Sequence, residues 1–139
     1  MFWFVLFLLL STAASTVLAN DFEYFQDCLR CPEMVVVPGG SFVMGAVEGD
    51  DLAGKNEFPR REMTLPSFSM GKTEVTVAQF GACVADGACE PLRTWMGQNT
   101  NENYPVTLIK WTEVDQFIHW LTEKTGKKYS LPSEAQWEY

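Results

Sequence analysis

Three helix starts in the second half of the chain limit its fold more than any other feature. Each is a hydroxyl residue with an amide or carboxylate three positions on: Thr76-x-x-Gln79, Thr112-x-x-Asp115 and Ser133-x-x-Gln136. In this spacing the hydroxyl accepts from an unpaired backbone N–H of the first turn, and the later side chain reaches back to the cap. Phe80, Cys83 and Val84 follow the first start, and Asp86-Gly87 stops it. Behind the second, Val114, Phe117, Ile118 and Leu121 fall at i, i+3, i+4 and i+7, which predicts one buried stripe, and Thr125-Gly126 ends it. The third runs only to Tyr139, too short to stand alone when isolated helices need about 12–15 residues. Trp137 and Tyr139 have no evident partner segment after them, so the chain reads as interrupted there.

Between these helices the pattern is extended. Met34 to Val37 is an apolar, β-branched run, Pro38-Gly39-Gly40 breaks it, and Ser41 to Met44 resumes it before Gly45. This predicts a strand pair joined by a glycine-containing turn. Val47 to Arg61 is a surface loop, Met63 to Met70 is extended, and Glu90 to Asn103 is a polar connection. Pro105 to Ile109 reads as another strand and Lys127 to Leu131 as a short extended piece. A chain of 139 residues suffices for one globular domain built of these strands and helices.

Four blocks carry a family resemblance. They are Met34 to Gly45 (MVVVPGGSFVMG), Gly71 to Phe80 (GKTEVTVAQF), Pro105-Val106-Thr107 followed by Trp111, and Leu131 to Tyr139 (LPSEAQWEY). In this order and spacing they resemble the formylglycine-generating-enzyme, or sulfatase-modifying factor, family. The resemblance implies a C-type-lectin-like α+β fold, of which residues 34–139 form the N-terminal half, so that the domain is truncated at Tyr139. Residues 20–33 are then a short N-terminal segment holding a CxxC. Members that make formylglycine oxidise a cysteine of a client sulfatase with oxygen, using a cysteine pair that binds copper(I). That pair and the family's calcium-binding loops lie beyond the Trp-Glu-Tyr block, so the resemblance assigns no catalytic, cofactor or metal residue to this chain. Copper and calcium belong to the complete domain. Other branches of the family do iron-dependent sulfur chemistry or are attached to kinases. The chain departs from the family at Ser130, often Arg, and at Ile118, often Cys. An ion pair from the first and a disulfide from the second are both lost.

Met1 to Ala19 carry no charge and pass from aromatic and leucine residues into small ones, the layout of a signal peptide cleaved after Ala19. Export to the periplasm or the medium follows. An uncleaved anchor is the other reading, since the run is close to the length that crosses a bilayer, about 20 residues. The net charge of -8, with no basic patch, argues against nucleic-acid binding.

Four cysteines lie in two local pairs, Cys28-x-x-Cys31 and Cys83-x5-Cys89. Export favours two disulfides over a zinc site made by all four. Of the three connectivities, Cys28 with Cys31 and Cys83 with Cys89 is preferred, because Asp86-Gly87 turns the chain back on itself. Free or redox-active thiols remain a third reading, although no βαβ frame surrounds the CxxC. His119 lies off the helix stripe and reads as solvated. Trp95, Trp111, Trp120 and Trp137 read as core anchors rather than a sugar-stacking surface. Glu134 and Glu138 lie one turn apart. They read as acids that suit the helix dipole rather than as an acid and base pair or metal ligands.

Two functions fit. The first is an exported protein whose whole form oxidises a client cysteine, on a sulfatase or another protein, or does related oxidase chemistry, with this chain as scaffold. The second is a non-catalytic, C-type-lectin-like binding module. Oligomeric state leaves no mark in the sequence.

Overall fold

The computed structural model describes residues 22–92 and 101–139. Its elements in chain order are β1 (Tyr24–Gln26), β2 (Glu33–Val37), β3 (Gly40–Met44), a single 3-10 turn at Lys55–Glu57, β4 (Arg61–Leu65), β5 (Phe68–Gly71), α1 (Val77–Ala85), α2 (Trp111–Thr125) and α3 (Glu134–Glu138). The mixture of small sheets and capped helices is the α+β architecture that the family resemblance implies.

The stretch from Met34 to Gly45 is not the expected hairpin. β2 lies in a three-stranded sheet ordered β1-β2-β5, and β3 pairs with β4 in a separate one. Both edges of β2 are already taken, by β1 and by β5, so β3 has no edge to join. The chain changes sheet at Pro38-Gly39 and returns at Pro66-Ser67. These two corners meet side by side, where Val37 faces Phe68 and Gly40 faces Leu65. Ser67 Oγ donates to Val37 O at 3.0 Å and ties the corners together. A Cβ on Gly39 would stand 2.7 Å from both Leu65 O and Ser67 N, so only glycine lets the corners approach this closely.

α1 begins as its capping box requires. Gln79 N–H donates to Thr76 Oγ1 at 3.3 Å, and Thr76 N–H donates to Gln79 Oε1 at 2.9 Å. α2 starts at Trp111, ahead of the expected Thr112 cap, because Glu113 Oε2 accepts from Lys110 N–H at 2.7 Å and places the cap at Lys110. Gly126 closes this helix in the left-handed region, φ 69. Its buried residues are Phe117, Trp120 and Leu121, while Val114 and Ile118 of the expected stripe are half-buried. Trp120 joins the core because its indole N–H donates to Asp86 Oδ2 at 2.9 Å, which leaves no polar atom unpaired on burial.

The expected strand at Pro105 to Ile109 reduces to one bridge, Pro105 with Thr76, and a hydrogen bond from Val106 N–H to Val75 O at 2.9 Å. The partner strand turns into α1 at Thr76, and Leu108 adopts φ 55, so no ladder can extend.

The core lies between α1 and α2. Phe80 stacks on Phe117 with ring centroids 5.8 Å apart, and Phe117 meets Trp120 at 5.4 Å. Leu92, Leu121 and the cysteines Cys31, Cys83 and Cys89 complete this cluster. Full burial of an aromatic side chain such as Phe80 contributes about 1.5–3 kcal/mol.

Candidate functional site

Disulfides join Cys28 to Cys31 and Cys83 to Cys89, with Cα atoms 5.0 and 5.3 Å apart. This is the pairing favoured by the Asp86-Gly87 turn, and it leaves no thiolate for the zinc alternative. The second disulfide holds the end of α1 against the chain that leaves it and is buried in the helix core. The first lies at the turn between β1 and β2. There Cys31 is fully buried and Cys28 only partly so.

A second polar centre escaped the sequence reading. The Asp27 side chain is 7% exposed and accepts from Lys127 Nζ at 2.5 Å and from the Tyr129 hydroxyl. The Lys127 ammonium, and then the Tyr129 hydrogen bond, hold the Asp27 carboxyl below the usual carboxylate range. Burial, and then the neighbouring Asp27 carboxylate, push the Tyr129 phenol up from its ordinary value. These groups line a cavity of about 330 Å³ together with Phe25, Met34 and Ser130. Ser130, where the family often has Arg, is thus part of an open space rather than of an ion pair. Nothing local could reveal this centre, because Asp27 and Tyr129 are 102 residues apart in sequence.

The carboxylates of α3 divide. Glu138 Oε1 accepts from Gly45 N–H at 2.7 Å and joins the end of the chain to the end of β3. Glu134 and Glu138 both line a separate cavity of about 100 Å³, with Arg61 and Glu57. Glu57 is itself engaged, accepting from Gly54 N–H at 2.8 Å.

Tyr139, for which the sequence shows no partner segment after it, finds its partners earlier in the chain. Its hydroxyl donates to Pro38 O at 3.1 Å, and its ring meets Phe42 at 5.3 Å and Phe68 at 6.3 Å. Gly40 lies so close to the Tyr139 hydroxyl that a Cβ there would overlap it. Of the four tryptophans expected in the core, Trp120 is buried, whereas Trp111 and Trp137 are 73% and 75% exposed. Trp95 lies outside the described residues. His119 is solvated and faces Glu123 at 3.5 Å.

The donors present do not fit the family's copper. All four cysteine sulfurs are in disulfides, and among the described residues no group of three or more His, Cys, Asp or Glu side chains is placed to hold a metal. The expected leader, Met1 to Ala19, lies outside the described residues, among which no helix is long and apolar enough to cross a membrane.

A mixed fold with a double-glycine corner, a capped α1 and a terminal α3 docked back on that corner defines a class of α+β domain that comparison identifies. Residues 20–139 match the sulfatase-modifying factor enzyme 1-like domain, and the chain belongs to that family. The match takes in the Cys28-x-x-Cys31 segment. A formylglycine-generating enzyme from Streptomyces coelicolor is 26% identical over 148 aligned positions, covering 76% of this chain and 45% of that protein. The structure of PvdO from Pseudomonas aeruginosa superposes with a TM-score of 0.72 at 30% identity, covering 84% of this chain and 49% of PvdO. This chain therefore spans about half the length of the relatives it matches.

Proposed function

We propose that this chain is the scaffold half of an exported protein of the sulfatase-modifying factor family, whose complete form oxidises a cysteine of a client protein to formylglycine or does related oxidase chemistry. The observation that carries the reading is the state of its cysteines. All four are in disulfides, so none is a free thiolate for copper, and the oxidase chemistry is left to the remainder of the domain. The coverage of 45% and 49% of the two relatives supports the same division. Two disulfides also support export, because such bonds persist in oxidising compartments and are rare in the reducing cytosol, and the sequence of Met1 to Ala19 supplies the leader this requires, cleaved after Ala19. A client sulfatase, or another protein presenting a cysteine, is the partner this reading requires.

The test supplies copper(I), oxygen and a sulfatase-derived cysteine peptide to two proteins: residues 20–139, and the product of the whole open reading frame. Aldehyde formation by the second and not by the first is the expected result, read by mass spectrometry of the peptide. Turnover by residues 20–139 alone would remove the scaffold assignment. No turnover by either would favour a non-catalytic binding module.

A further inference from the structure

The loop that holds Cys28 and Cys31 is closed without its disulfide. β1 and β2 flank it as an antiparallel pair, with Gln26 opposite Glu33. Cys31 N–H donates to Cys28 O at 3.0 Å, and Gln26 Nε2 donates to Cys31 O at 2.7 Å. A cross-link stabilises chiefly by restricting the unfolded chain, and less so for shorter loops. With a separation of 3 residues inside an existing hairpin, this one is nearly redundant as a staple.

The disulfide is also asymmetric. Cys31 is fully buried, whereas Cys28 forms part of the wall of a groove of about 460 Å³. Gly81, Ala82 and Ala85 of α1 line the groove, and their small side chains leave room for an extended backbone. A Cβ built on Gly81 would meet nothing within 4 Å. Leu29, 92% exposed, and Arg30 line the groove beside Cys28. Lys124, also in the groove, is paired with Asp86 at 2.5 Å, so Arg30 is the cation left to complement an incoming thiolate.

We propose that Cys28–Cys31 is a thiol–disulfide exchange site for an extended, cysteine-bearing peptide seated along α1. The client thiolate attacks Cys28 Sγ. A bond forms between the client sulfur and Cys28, and the Cys28–Cys31 bond breaks. Its electron pair leaves on Cys31 Sγ, which takes up a proton. A second client thiolate then attacks the client sulfur of the mixed disulfide and releases Cys28 as a thiolate. The client dithiol loses two electrons and becomes a disulfide, and Cys28 and Cys31 gain them as a dithiol, so the cystine is itself the oxidant. Unlike a βαβ redox fold, the site is a β-turn, and the reading rests on access, redundancy and charge. It does not depend on formylglycine formation.

In the test, the oxidised full chain is mixed with a reduced two-cysteine peptide flanked by small apolar residues. The reaction is quenched over time, and free thiols are mapped by differential alkylation. Cys28 and Cys31 are expected to become labelled about tenfold or more faster than Cys83 and Cys89, as an accessible cystine is reduced ahead of a sealed one. Cys31→Ser, given the peptide with an activated cysteine disulfide, should carry the adduct on Cys28. Ala85→Glu, which narrows the groove, should slow exchange with the peptide more than reduction by dithiothreitol, lowering the ratio of the two rates about fivefold. Labelling of all four cysteines at one rate, an adduct on any other cysteine, or equal slowing of both reductants by Ala85→Glu would overturn the proposal. If Cys31→Ser does not fold, the mapping on the unaltered chain decides alone.

Discussion

The two disulfides close short loops, with sequence separations of 3 and 6, and both reach the helix core, but only the second is sealed inside it. Cys83–Cys89 joins the end of α1 to the segment leading to Leu92, within the cluster of Phe80, Phe117 and Trp120. Only one backbone turn spans that link, with Ala88 N–H and Cys89 N–H donating to Cys83 O at 3.1 and 3.3 Å. Cys28–Cys31 crosses a turn that two paired strands already close, and one of its sulfurs belongs to a residue that lines a groove. Separation in sequence is thus a poor guide to what a disulfide does. The contribution depends on whether other contacts close the same loop and whether solvent reaches the sulfur.

The largest expected effect tests the sealed bond. Cys83→Ala with Cys89→Ala should cost about 2–5 kcal/mol, because it removes a buried cross-link and leaves space in the helix core. The urea midpoint of the oxidised protein measures it, and a loss as small as that of the paired-strand disulfide would erase the contrast. Thr76→Ala comes next. It deletes the cap of the helix that carries Cys83 and should cost about 1 kcal/mol. The same measurement applies, and a neutral result would mean that the cystine alone holds α1 in place.

A further test uses pH on the accessible side, where Asp27 follows Gln26 and precedes Cys28. The Asp27 carboxyl is depressed in the folded chain, so its contribution is present above the ordinary value of 3.8 and is lost as pH falls through the lower folded value. The Tyr129 phenol is raised, so its contribution is present below 10.0 and declines as pH rises from there toward its folded value. Stability is therefore expected to plateau between these limits. Asp27→Asn should weaken both slopes and lower the plateau by about 1 kcal/mol, the scale of a charge-assisted hydrogen bond discounted for the exposed Lys127. Unchanged slopes in Asp27→Asn would show that other groups set them. The smallest effect closes the comparison: Cys28→Ala, which opens the bond but leaves the buried Cys31 side chain in the core, should shift the urea midpoint by no more than about 0.5 kcal/mol equivalent, because the strand pairing persists.

Local chemistry is what the sequence by itself determined. Thr76 with Gln79 and Ser133 with Gln136 fixed two helix starts, since a cap and its donor lie within four residues of each other. Asp86-Gly87 and Gly126 fixed two stops, and the short-range cysteine pairs followed from the turn between them. The family could be read from four short blocks, because such blocks encode corners and caps that admit few residue types. Tertiary structure alone decided which edges β2 would use, and so turned the expected hairpin into a crossing between two sheets. It also rotated the buried face of α2 onto Trp120 through a partner 34 residues away, and brought Asp27 to Tyr129 and Tyr139 to the Gly39-Gly40 corner. These contacts join residues with no periodic or spacing relation to one another. Closing such distances costs chain entropy that only the packed core and the completed hydrogen bonds offset, so they exist only in the assembled fold.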